Sequence, residues 1–159
     1  MLTRLIYASE AASHVTPETV QSILAQARRV NARLGLTGML AFDSNVFLQV
    51  LEGPREEVNA LFCRIAGDKR HRRVVLLEVA AAQERHFGHW HMAFAPADAT
   101  HRRLYLRHCK RAQLDPFQMK PAAALALLKA LAPPGAPLPA QDRPAQAAPV
   151  AVPEPDTTA

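Results

Sequence analysis

The feature that most constrains this chain is its punctuation: two amphipathic stretches, Pro17 to Gly35 and Pro54 to Gly67, each open on a proline, close on a glycine and stand between short apolar runs. Proline suits the first turn of a helix, Gly35 lies where a left-handed C-terminal cap would and Gly67 marks an end, so both stretches read as helices. Thr16 can cap the first, Glu18 meets its positive pole, and Val20, Ile23, Leu24, Ala27 and Asn31 follow at helical spacing. In the second, Glu56 and Glu57 occupy the first turn and Val58, Leu61, Phe62 and Ile65 form the apolar stripe.

The runs around them have strand character. Thr3, Leu5 and Tyr7 alternate with Arg4, Ile6 and Ala8, which predicts a first strand with both faces at least partly buried. Residues 37–42 and 46–52 are separated by Asp43, Ser44 and Asn45, the chemistry of a hairpin. A fourth strand is expected over 74–79 and a fifth over 87–94. The order strand, helix, strand, strand, helix, strand, strand predicts an α+β, ferredoxin-like βαββαββ sheet with both helices on one face. That leaves the other face bare, and helices near 98–111 and 119–132 are the candidates to cover it. Eight of the 13 prolines fall in residues 133–159, so this segment is expected to be a disordered tail. The expected organisation is 1–95 as one domain, 96–132 as a helical extension and 133–159 as tail.

Composition excludes some classes. No apolar run approaches the ~20 residues of a membrane span, and the N-terminal apolar stretch is too short for a signal peptide. With only Cys63 and Cys109, and no close CxxC pair, neither a disulfide framework nor a cysteine zinc site is indicated. A cytoplasmic protein is expected, with Cys63 packed rather than reactive. Lys and Arg exceed Asp and Glu by 19 to 14, a net charge of +5 that suits an anionic ligand or acidic partner without choosing between them. The basic clusters Arg70 to Arg73 and Arg102 to Arg111 read first as solvated surface. His86, His89 and His91 lack an acidic third ligand, so no metal is assigned.

Three residues are polar where the pattern says buried. Alternation puts Gln49 on the face of Phe47 and Leu51, Tyr7 shares a face with Leu5, and Asn31 sits on the apolar stripe of its helix. A buried amide without a partner costs ~1–3 kcal/mol, so each needs one. Satisfaction by one another or by the backbone, as ordinary core polar groups, explains any one of them alone.

Taken together with their surroundings they carry more. The segments LIYAS (5–9), VNARLGLTGML (30–40), FLQVLEG (47–53), RIAGDKRH (64–71) and FGHWHMAF (87–94) resemble, in order and separation, the successive blocks of the BLUF family, small domains that sense blue light with a flavin. The resemblance implies a short, single-domain photoreceptor and not an enzyme. It makes Tyr7 the redox-active tyrosine, Gln49 the switching glutamine and Asn31 the asparagine that bonds the flavin ring. It places Ile23 and Ile65 on either side of that ring, Arg64, Asp68, Arg70 and His71 at the ribityl and phosphate side, and Trp90 and Met92 as the fifth-strand pair that relays the change. Light would draw an electron and a proton from Tyr7, and Gln49 would be left rearranged. FAD is the implied cofactor, with FMN as the alternative. The implied partners are an unidentified downstream protein and further copies of the chain; neither membrane nor nucleic acid is expected. Val30 departs from the asparagine or histidine that many relatives carry before the flavin-binding asparagine. An RNA-recognition domain shares the element order, but its run of exposed aromatics is missing from FLQVLEG and its neighbours. A flavin-binding module without photoactivity is the other alternative.

Overall fold

The structure, a computed structural model, describes residues 1–96 and 98–134. The elements run β1 (Leu2–Ala11), α1 (Pro17–Leu34), β2 (Thr37–Asp43), β3 (Val46–Pro54), α2 (Arg55–Ala66), β4 (His71–Ala81), β5 (Ala93–Ala95), α3 (Ala99–His108) and α4 (Pro121–Leu131). The expected tail from residue 135 onward lies outside the described residues.

The helix punctuation works fully in α1; in α2 Gly67 ends the helix at φ −86°, in the right-handed region, and Pro54 precedes it without a side-chain cap. Thr16 accepts a hydrogen bond from the Thr19 amide at the start of α1, and Gly35, at φ +64°, closes it in the left-handed conformation. Asp98 caps α3 through the His101 amide, and Pro121 opens α4.

The sheet order is β4-β1-β3-β2-β5. β1 pairs antiparallel with both β3 and β4, β2 pairs antiparallel with β3, and β5 adds parallel to β2. Up to β4 this is the ferredoxin-like plan, with β5 as an added edge. Side-chain alternation then divides the core in two. Leu5, Tyr7, Leu40, Phe47 and Leu51 face α1 and α2. Ile6, Ala8, Met39, Leu48 and Val50 face the other way and are covered by Tyr105 of α3 and by Ala124, Leu127, Leu128 and Leu131 of α4. The C-terminal helices do cover the otherwise bare face.

One element differs from expectation. The fifth strand was expected over 87–94 but is only Ala93–Ala95, and residues 82–92 form a loop. The buried Glu52 carboxylate explains it: it accepts the amides of His86 and Phe87 at 3.0 and 2.9 Å, bonds that a ladder would otherwise use. Arg85 strengthens the hold by donating to Thr37 Oγ1 and to the carbonyls of Glu52 and Gly35. His89 and His91 therefore do not alternate on a strand. Cys63, expected to be packed, is exposed on α2.

Candidate functional site

Register creates the site. Tyr7 of β1 and Leu40 of β2 both stand directly opposite Gln49 of β3, on the face that α1 and α2 cover. The two helices do not close over these residues completely. Between them and the sheet lies a partly open cavity of about 260 Å³, walled by Ile23, Gln26, Ala27, Val30 and Asn31 of α1, Leu61, Arg64 and Ile65 of α2, and Tyr7, Leu40, Phe47 and Gln49 of the sheet. Asp68, Arg70 and His71, where α2 turns into β4, complete it.

The uncharged polar groups deepest in its lining are buried: Tyr7 and Asn31 are 1% exposed and Gln49 6%. The Tyr7 hydroxyl donates to Gln49 Oε1, and Gln49 Nε2 donates to the Met92 sulfur at 3.4 Å. Burial pushes the Tyr7 phenol well above its ordinary pKa of 10.0 and keeps it protonated. Asn31 Nδ2 donates to the His91 carbonyl at 2.5 Å, while its buried Oδ1 has no partner among the described residues. An acceptor left in that state in a cavity wall is suited to a ligand N–H.

The other end of the cavity is charged. Arg70 grips the Asp68 carboxylate through its side chain, at 2.7 to 3.1 Å, and through its backbone amide at 2.9 Å. These hydrogen bonds bring the Asp68 pKa down to about 2. His71 bonds Ser9 Oγ at 2.8 Å, and burial lowers its pKa, which favours the neutral ring. Arg64 makes no ion pair among the described residues.

All nine residues expected at the photoactive and flavin-binding positions line this one cavity: Tyr7, Ile23, Asn31, Gln49, Arg64, Ile65, Asp68, Arg70 and His71. The expected relay pair does not sit on a strand. Both residues lie on the loop before β5, with Met92 packed on the cavity side and Trp90 against the opposite core. A family model described as sensors of blue light using FAD, the BLUF model, matches residues 2–93.

This chain belongs to the BLUF family.

Several BLUF proteins show how the domain is used. The chain is 38% identical over 84 residues to the beta subunit of a photoactivated adenylate cyclase of Euglena longa, covering 53% of this chain and 10% of that protein. It is 36% identical over 88 residues to the blue light- and temperature-regulated antirepressor BluF of Escherichia coli strain K12, covering 55% of this chain and 22% of that one. The match thus takes up no more than 22% of the length of either curated relative. Solved structures agree at nearly full length: BlsA in its photo-activated state has a TM-score of 0.75 at 28% identity, over 82% of this chain and 94% of BlsA. The dark-state structure of the BLUF protein BlrB gives 0.65 at 27%, over 82% and 93%. As a BLUF domain the chain is a flavin-based blue-light sensor.

The cavity fits a flavin. The unpaired Asn31 acceptor can take a ring N–H, and the aliphatic walls from α1 and α2 face each other across the space a flat ring needs. Sequence reasoning missed Gln26, Ala27, Leu40, Phe47 and Leu61 as wall residues. Helical spacing held the signal for three of them, since Gln26 and Ala27 lie between Ile23 and Asn31 on one face of α1 and Leu61 precedes Ile65 by one turn. Glu52 and Arg85, which shape the 82–92 loop, gave no such signal. Among the described residues there is no cluster of three metal-ligating side chains and no helix long and apolar enough to cross a membrane.

Proposed function

We propose that this BLUF domain binds FAD in the α1–α2 cavity and converts blue light into a change in the Tyr7–Gln49–Met92 hydrogen-bond chain, which a partner protein reads. The continuity of that chain carries the reading: phenol to amide to thioether, all buried, with the phenol and the amide in the cavity wall and the thioether behind the amide.

Each residue has a task that its chemistry allows. Asn31 accepts from the ring edge while its NH₂ stays on the His91 carbonyl. Ile23 and Ile65 hold the ring flat between the helices. Arg64, Arg70, Asp68 and His71 stand toward the ribityl and phosphate side, where Arg64, without an ion pair among the described residues, supplies the cation a phosphate needs. The bound flavin supplies an excited state that oxidises a nearby phenol. Tyr7 is the phenol in question, and its bond to Gln49 gives the proton a path when an electron leaves.

Gln49 suits a switch because an amide both donates and accepts. In the arrangement seen, its oxygen accepts a hydrogen bond from the phenol and its NH₂ meets the Met92 sulfur. Turned over, the NH₂ would face the phenol oxygen, which also accepts, and the oxygen would meet a sulfur that cannot donate. That oxygen would seek another donor at the cavity. The two arrangements differ by few bonds, which is what a reversible change requires.

The role is sensing rather than catalysis, in the cytoplasm, with Met92 and Trp90 carrying the change toward a protein partner and self-association as a further expectation. The test is the absorption spectrum of the purified chain in the dark, under blue light and during recovery, with the released cofactor identified by chromatography. A flavin band that moves slightly to the red and returns, with FAD released, supports the reading. Bound flavin without a reversible shift would make the chain a dark binding module, and release of FMN would correct the cofactor.

A further inference from the structure

The backbone of the loop before β5 is held by an unusual run of donors. The Trp90 carbonyl accepts the Gly38 amide at 3.1 Å, the His91 carbonyl accepts Asn31 Nδ2 at 2.5 Å, and the Met92 carbonyl accepts Arg28 Nε at 3.1 Å. Three successive carbonyls are thus fixed, one from β2 and two from α1. Arg28 and Asn31 are three residues apart, so they share one side of the helix and reach neighbouring peptide groups. Asn31 faces the cavity, whereas Arg28 lies outside it, on a surface groove with Ala32, Trp90 and Phe94.

Met92 is the residue whose sulfur takes the Gln49 NH₂. A thioether is a weak acceptor on a side chain with three rotatable bonds. It restrains an amide only if the backbone that carries it is fixed. Gly38 contributes from the other side: a Cβ there would collide with the Val50 carbonyl and press on Met92 Cε at 3.3 Å, so the methionine packs against bare backbone.

We infer that Arg28 is a positioning residue for the photocycle: by clamping the Met92 carbonyl from outside the cavity it keeps the sulfur where the Gln49 NH₂ meets it in the arrangement seen, and so speeds the return of the amide to that dark arrangement. This rests on the reading of Gln49 as the switching group. Arg28 makes no ion pair among the described residues, so its charge is available to strengthen this bond to a neutral carbonyl.

The experiment is dark recovery of the flavin band after a blue pulse, on the full chain with its flavin. Arg28→Ala should slow recovery about three- to tenfold, the kinetic equivalent of losing part of one charge-assisted hydrogen bond that favours the dark arrangement, with flavin content and dark spectrum unchanged. Arg28→Lys, which keeps a charged donor, should stay within about twofold of the parent. In a Met92→Ala background, Arg28→Ala should change nothing further, because the clamp acts only through that side chain. An unchanged or faster recovery in Arg28→Ala, or the same slowing with and without Met92, would overturn the assignment. A parent chain with no reversible shift at all would overturn the switching reading itself and this inference with it.

Discussion

The two faces of the one sheet are built from the same alternating strands and treated in opposite ways. On the side of α3 and α4, Tyr105, Leu114, Leu127, Leu128 and Leu131 close over Ile6, Leu48 and Val50 and leave a dense apolar layer. On the side of α1 and α2, the helices stand far enough off to leave a cavity, and its lining carries a phenol and two amides, from two strands and α1, at positions that the apolar pattern would otherwise fill with aliphatics. Packing density stabilises a domain, and a cavity forgoes that contribution. The difference teaches that this fold concentrates its stability on one face and its chemistry on the other.

The largest effect that could break this comparison is on the packed side. Tyr105 is fully buried, and Tyr105→Ala should cost about 3–5 kcal/mol in urea unfolding. Ile23→Ala, on a half-buried cavity wall, should cost about 1–2 kcal/mol, since part of that surface faces open space already. Equal losses at the two sites would show that the faces are not distinguished as described. A sharper version uses the Tyr105 hydroxyl, which is buried without a partner among the described residues. Tyr105→Phe should shift stability by no more than about 1 kcal/mol and in the stabilising direction, because it removes an unpaired polar group. A clear loss would mean that the hydroxyl has a partner, as the Tyr7 hydroxyl does.

The smallest expected effect is one of pH. The Tyr7 phenol has its pKa raised by burial, so the folded chain keeps it protonated where the unfolded chain begins to ionise, near the ordinary value of 10.0. The neutral phenol's contribution to stability is therefore complete below pH ~10 and declines only above it, as the unfolded state sheds its proton. The amplitude of the light-induced shift should stay flat from neutral pH through about pH 10. A titration of the amplitude centred at the ordinary phenol value would place Tyr7 in contact with solvent.

Much of this was legible before the structure. Pro17 and Gly35 mark the ends of α1 through local geometry, which neighbours do not alter, whereas Gly67 marks the end of α2 without the left-handed conformation. The cavity residues were found by resemblance, and alternation alone already put Gln49 and Tyr7 inside. The fifth strand failed for a physical reason. Phe87, Trp90, Met92 and Phe94 are apolar often enough to suggest a strand, but what decides the backbone there is long-range: Glu52 takes the amides, and Arg28, Asn31 and Gly38 bind the carbonyls. None of those partners is near in sequence, and Glu52 looks like the polar end of its own strand. Arg28 was hidden in the same way, as one more exposed arginine on a helix.

The central claim is that Gln49 is the group light rearranges, and the most direct measurement is the light-minus-dark absorption difference of Gln49→Leu beside the parent. Leucine fits the apolar surroundings of Phe47 and Leu51 but can neither accept from Tyr7 nor donate to Met92. Flavin should remain bound while the reversible red shift disappears. A difference spectrum equal to the parent's would contradict the account.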